Sequence, residues 1–451
     1  MRLFNYRDKE ILRLALPSIV QNVTVPLLGL ADVAIMGHIG DARYIGAIAV
    51  GSMIFNVMYW LCGFLRMGTS GLTAQAYGKN RGERREESGK RRVESGERIE
   101  NSGEVIILRA SLRLALAIGL SMVVLQVPLR ALMFWLMQPT ADVAALCLPY
   151  FNICIWGAPA VLGLYALTGW FIGMQDTRTP MAVAIAQNII NIAVSATLVF
   201  WFGMGVTGVA TGTVVAQWLG FLLAGTIAYQ SHKPQPSTEP RPSNGSFSWH
   251  RFFAINRDIF LRTLCLVAVN LYFTSAGAAQ GALTLAVNTL LMQLFTLFSY
   301  FMDGFAYAGE ALAGRYYGER NQAALSDVVG RLFRWGWAMV AVFTLVYWGG
   351  GTPFLHLLTS DTEVVSAAAD YLPWALLIPL SGMAAFVWDG IFIGITYTRG
   401  MLVSCLMATA LFFALWFAGS PALGNHALWL ALIAYLSLRG IVQWWLWCRL
   451  S

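Results

Sequence analysis

The sequence predicts an all-α polytopic membrane protein, with twelve transmembrane helices in two six-helix bundles related as a parallel six-plus-six repeat. Three observations lead there. The chain is too apolar for water, its basic residues alternate from loop to loop, and two of its segments occur twice.

Of 451 residues, 57% are hydrophobic and 12% are charged, whereas a soluble domain uses roughly 25% charged residues. Lipid therefore replaces water over much of the exterior. Val183 to Phe202, Val206 to Tyr229 and Trp335 to Trp348 hold no acid or base, and about 20 apolar residues are enough for a helix to cross ~30 Å of hydrocarbon. The spans read as approximately 11–36, 45–75, 105–127, 143–173, 181–202, 206–229, 258–278, 283–313, 330–348, 365–394, 400–418 and 427–447. Several are long enough to require tilt or kinks. The first apolar stretch lacks an early small-residue cleavage site and reads as a retained span, not a signal peptide.

Charge placement supports the same count. Of 30 Lys and Arg residues, 24 lie in the N-terminus, the even-numbered loops and the C-terminus, while the odd-numbered loops hold Arg43 and Arg130. This bias places both termini in the cytoplasm, and a miscounted span would break it. The net charge of +7 does not imply nucleic acid, because the bases form no folded basic surface. Cys62, Cys147, Cys154, Cys265, Cys405 and Cys448 all sit in apolar segments without a CxxC pair, and read as small packing residues.

The repeat sets the organisation. Ala76-Tyr77-Gly78-Lys79-Asn80 follows span 2, and Tyr316-Tyr317-Gly318-Glu319-Arg320-Asn321 follows span 8. Phe171-Ile172-Gly173 with Thr177-Arg178 ends span 4, and Phe392-Ile393-Gly394 with Thr398-Arg399 ends span 10. The offsets are 240 and 221 residues, so the first half is longer between the two motifs. The excess lies in 81–103, where Ser-Gly recurs every seven residues among Arg and Glu, and which reads as a disordered cytoplasmic insertion. Residues 1–230 form the first bundle, 231–250 a proline-rich cytoplasmic linker, and 251–451 the second bundle.

An acid or base kept inside a span costs about 2.5–3.5 kcal/mol on insertion scales, so each one retained suggests a use. Asp32 lies toward the outer end of span 1, beyond Pro17 and Pro26. The prolines remove backbone hydrogen bonds, so this helix can bend and offer carbonyls to a cavity. A dehydrated carboxylate there suits exchange of a proton or small cation; a boundary residue facing water is the alternative. Asp303 and Glu310 lie seven apart on one face of span 8. Arg66 can pair with an acid of its own half, and Asp389 belongs to the second half. Ion pairs that fix helix packing account for Asp303 and Asp389, and compete evenly with a site role for Glu310. Asn188 and Asn191 in span 5 read as interhelical hydrogen-bonding groups. With Ser195 and Thr213 they supply uncharged oxygens that, beside Asp32, suit a small cation. No phosphate loop, HExxH or CxxC is present, so neither an enzyme nor a bound cofactor is expected.

These residues resemble the multidrug and toxic compound extrusion (MATE) family, in its DNA-damage-inducible protein F (DinF) branch. The resemblance rests on Leu14-Ala15-Leu16-Pro17 with Asp32-Val33-Ala34, Phe64-Leu65-Arg66-Met67 running to Gly71-Leu72-Thr73-Ala74-Gln75-Ala76, and Asn256-Arg257-Asp258-Ile259. Met302-Asp303-Gly304-Phe305-Ala306-Tyr307-Ala308 and Gly424-Asn425-His426-Ala427-Leu428-Trp429 complete it. It implies a V-shaped arrangement around a central cavity, and multidrug efflux of organic, often cationic, compounds by antiport with H+ or Na+. It further implies that Asp32 couples the ion, that Pro17 permits bending, and that Asn191 and Thr213 belong to the site, with Na+ held at Asp32, Asn191 and Thr213 if sodium is used. A second aspartate common in the family is Ser195 here, which favours proton exchange. Partners are small organic substrates and the bilayer, and the chain is expected to act as a monomer. The alternative cargo is a lipid-linked precursor or endogenous metabolite, handled by a flippase or exporter. Polyanionic cargo needs several cavity bases, and only Arg66, Arg113 and Arg439 lie deep in spans.

Overall fold

A computed structural model of the protein describes residues 5–37, 42–88, 103–231, 248–359 and 361–450. In chain order the first half holds α1 (Tyr6–Gly37), α2 (Ala42–Leu61), α3 (Phe64–Ser88), α4 (Gly103–Val124), α5 (Gln126–Met137), α6 (Ala141–Cys154), α7 (Ala158–Gly173), α8 (Arg178–Phe200) and α9 (Gly205–Ser231). The second half holds α10 (Trp249–Ala279), α11 (Ala282–Gly318), α12 (Gln322–Leu358), α13 (Thr362–Ala369), α14 (Leu372–Gly394), α15 (Thr398–Leu423) and α16 (Asn425–Leu450). No strand occurs among the described residues.

Among the described residues, eleven stretches are long and apolar enough to span a membrane, α2 with α3 and α6 with α7 each forming one. α1, with 32 residues, completes the twelve. Two short helices, α5 and α13, were not expected. The span read as 365–394 is divided between α13 and α14 because Pro373, in the first turn of α14, cannot continue a preceding helix. A 3-10 turn, Ile155–Gly157, separates α6 from α7 ahead of Pro159 in the same way.

Part of the expected disordered insertion is ordered. Residues 81–88 continue α3 as helix; Arg and Glu are good helix formers, and Lys79 and Glu83 face each other at 3.9 Å one turn apart. Residues 89–102 lie outside the described residues. Of the linker, Trp249 and His250 already belong to α10, and 232–247 lie outside the described residues.

The chain divides into two compact units, Val20–Trp249 and Met1–Ile19 with His250–Ser451. The sequence reading gave all of 1–230 to the first bundle; the start of α1 instead packs with the second. Its charges explain this. Arg7 pairs with Asp327 on α12, Arg331 reaches Asp8 at 2.6 Å and Asp327 at 3.0 Å, and Arg315 on α11 reaches Glu10 at 3.2 Å. Gly304 makes room for the helix: a methyl group there would stand 2.9 Å from the Ala15 carbonyl oxygen and collide with Ile19. α1 therefore passes from one unit to the other between Pro17 and Pro26.

In the first unit the core is aromatic, with Phe55 stacked on Phe151 at 5.2 Å between ring centres and Tyr59 and Tyr150 beside them. In the second, α11 and α14 pack along their length. Asn321 caps α12, its side-chain oxygen accepting from the Ala324 amide at 3.0 Å.

Candidate functional site

The first unit gathers the uncharged oxygens that the sequence singles out. Gly212 lets α9 lie against α8, where a methyl group would stand 2.8 Å from the Ser195 amide nitrogen and collide with its hydroxyl. Across that close contact the Asn191 amide donates to Thr213 Oγ1 at 3.0 Å. Thr213 in turn donates to the Val209 carbonyl at 3.0 Å, and Ser195 reaches the same carbonyl at 3.5 Å. Asn191 is 0% exposed, and its own carbonyl oxygen has no hydrogen-bond partner.

Asp32 belongs to the same unit. It is 3% exposed, its Oδ1 lacks a hydrogen-bond partner, and among the described residues no cation pairs with it. The Cys154 thiol donates to the Ala210 carbonyl at 3.9 Å, next in the chain to the Val209 carbonyl that Ser195 and Thr213 use. Asn188 Nδ2 donates to the Thr24 carbonyl at 2.8 Å, tying α8 to α1 two residues before Pro26. The reading of Asp32 as a water-facing boundary residue does not fit its burial.

This arrangement has a chemical consequence. A buried carboxylate without a counter-charge is costly and is relieved by binding a proton or a cation. Two acceptor oxygens without donors, on Asp32 and Asn191, are the kind of ligand that a proton or a small hard cation satisfies.

The second unit treats its carboxylate differently. Asp389 on α14, 6% exposed, accepts from Arg262 on α10, from Arg439 on α16 at 2.5 Å, and from Gln443 on α16 at 2.6 Å. Both oxygens are engaged, as the packing reading of Asp389 requires. The sequence reading missed Arg262, counting it with the linker bases. The available signal was its place beside Leu261, Leu264 and Val267 within an apolar run. Asp303 is half-buried and Glu310 is 1% exposed on α11, and both have partners. Arg66 is half-buried on α3 and also has partners; its own carbonyl lies against Gly169 of α7.

One further polar group was not foreseen. Asn288 on α11 and Asn425 on α16 exchange amide hydrogen bonds at 2.8 and 2.9 Å, and Trp429 Nε1 donates to Asn288 Oδ1 at 2.9 Å. All three are buried, so the group locks α11 to α16.

Known proteins share this architecture. The MatE family pattern matches residues 17–92, 104–197 and 259–417. DNA damage-inducible protein F of Escherichia coli (strain K12) is 36% identical over 98% of this chain and 92% of its own length. The probable multidrug resistance protein NorM of Thermotoga maritima is 22% identical over 96% of this chain and 91% of its own. Among solved structures, a MATE protein in a bent conformation superposes with a TM-score of 0.83 at 18% identity, covering 99% of this chain and 95% of that one. A MOP superfamily transporter from Pyrococcus furiosus gives 0.80 at 18%, covering 98% and 95%. With the family pattern over most of its length and a relative this similar end to end, the chain belongs to the MatE family of multi-pass membrane transporters.

Proposed function

We propose that this transporter exports small organic compounds, often cationic, in exchange for protons or sodium ions by alternating access, as a monomer in the bacterial inner membrane with both termini in the cytoplasm. The observation that carries the reading is Asp32, buried with an oxygen that no donor satisfies. Protonation or cation binding removes the cost of that charge. Ion and substrate then favour different conformations, and the gradient drives export through that difference in binding. Proton exchange is the preferred form, because Ser195 adds a hydroxyl where a second carboxylate would strengthen a sodium site. The flippase reading draws less support: of the three deep bases that polyanionic cargo would use, Arg439 is committed to Asp389.

The test is flux in proteoliposomes with either a pH or a sodium gradient imposed, using an organic cation as cargo. Efflux that follows neither gradient would remove the exchange reading. Efflux that follows only sodium would reverse the preference for protons.

A further inference from the structure

A second site lies wholly within the second unit, at the end where α16 finishes. There a cavity of about 430 Å³ opens among the ends of α10, α11, α12, α14, α15 and α16, a volume within the range of small-molecule sites. Arg251 and Arg399 line it, with Tyr397, Trp447 and Leu450 supplying aromatic and apolar surface. Asp258 also lines it, but its charge is already matched. One oxygen accepts from Arg257 at 3.0 Å and the other from Thr398 at 3.3 Å. Arg399 has no carboxylate partner among the described residues, and Arg251 donates to Thr396 Oγ1 at 3.0 Å.

The internal repeat shows what is special here. Both halves turn through a left-handed residue at this point, Gln175 (φ 65°) after α7 and Thr396 (φ 55°) after α14. In the first half the next residue is Asp176, which caps α8 by accepting from the Arg178 and Thr179 amides at 3.0 and 3.1 Å. In the second half that place is taken by Tyr397, whose side chain makes no cap hydrogen bond to α15. The second half has thus exchanged an acid for an aromatic ring beside two guanidinium groups. The aromatic walls are held in place, Tyr397 by Phe392 at 5.4 Å and Trp447 by Trp388 at 5.4 Å between ring centres.

Guanidinium groups recognise phosphate through paired, charge-assisted hydrogen bonds, and aromatic walls take the apolar part of a ligand. We propose that this cavity binds a phosphate-bearing amphiphile, with the phosphate held by Arg251 and Arg399 and the apolar portion lying against Tyr397 and Trp447. The phosphate can come from an anionic lipid headgroup or from a soluble organic phosphate.

Binding can be measured without transport, so the result is independent of the exchange reading. The purified protein is placed in phosphatidylcholine nanodiscs with or without phosphatidylglycerol, and separately titrated with naphthyl phosphate. Lipid adducts are read by native mass spectrometry and ligand stabilisation by thermal unfolding. Retention of phosphatidylglycerol over phosphatidylcholine, or stabilisation by naphthyl phosphate, is expected, and the probe that binds identifies the source. Arg399→Gln, at an exposed side chain, should weaken binding at least about tenfold, and Arg251→Gln with Arg399→Gln should abolish it. Tyr397→Asp, which restores the acid of the first half, should abolish it as well. Undiminished binding by a folded Arg399→Gln variant, or equal retention of the two lipids together with no stabilisation by naphthyl phosphate, would overturn the proposal.

Discussion

Asp32 in the first unit and Asp389 in the second are both buried within spans, and the two are managed in opposite ways. Asp32 in the first unit has an oxygen without a donor and, among the described residues, no cation paired with it. Asp389 in the second accepts from two guanidinium groups and an amide. Burial alone therefore does not mark an exchange site. A carboxylate can take up and release an ion only if no permanent donor already occupies its lone pairs, and any ion approaching Asp389 must displace Arg262 and Arg439. Under the proposed exchange, the first bundle carries the exchangeable charge, while the carboxylate of the second is already matched by guanidinium groups.

The largest effect expected is on Asp32. Asp32→Asn keeps the shape and removes the charge, so gradient-driven efflux should fall to the rate of protein-free vesicles while the protein stays folded. Wild-type efflux by this variant would break the contrast between the two halves. Asp389→Asn should do the reverse, keeping coupling in each folded molecule while losing stability. Taking away the acid leaves two buried guanidinium groups unmatched, at a cost of about 3–5 kcal/mol, to be read as a lower unfolding temperature in detergent. Replacing Asp389, Arg262 and Arg439 together with apolar residues of similar volume should recover most of that loss, because a fully removed buried ion cluster is often neutral. Failure to recover would give the cluster a role beyond packing.

Much of this contrast could be read before any coordinates. The spans follow from apolar length and the repeat from segments that recur, and the helices match the spans closely. The partnership of Asp389 could not be read, since Arg262, Arg439 and Gln443 lie 127, 50 and 54 positions away along the chain. Arg262 in particular sits one turn after Asp258 near the start of a span, where a base normally reaches back to the headgroups. The division of α1 between the two units was hidden for a related reason: the partners of its first turns, Asp327, Arg331 and Arg315 among them, lie some 300 positions away along the chain. Asp32 stood out in the sequence because a carboxylate is rare in such a helix, whereas Asn191 and Thr213 were tied to the site through the family resemblance, and which of these oxygens lack a donor was not legible.

A smaller effect tests the contact that builds the first site. Gly212→Ala should cost about 1–3 kcal/mol through overpacking against Ser195, and removing the Ser195 hydroxyl as well should return part of it, because the added methyl group meets that hydroxyl as well as backbone. A strictly additive double variant, followed by thermal unfolding, would mean that α8 and α9 do not meet here as described.

The smallest effect distinguishes the uncharged ligands from the carboxylate. Thr213→Val keeps the volume but removes the acceptor for the Asn191 amide and the donor to the Val209 carbonyl. With two such bonds lost, the loss in stability should be about 1–2 kcal/mol, at a net worth of roughly 0.5–1 kcal/mol each. Asn191 is then free to reorient, and its unsatisfied carbonyl no longer holds a fixed direction, so the ion concentration for half-maximal exchange should rise while the maximal rate is kept. Asp32 would still bind and release the ion. A variant that lost maximal rate but kept its ion dependence would move Thr213 out of the ion site and into the conformational change itself.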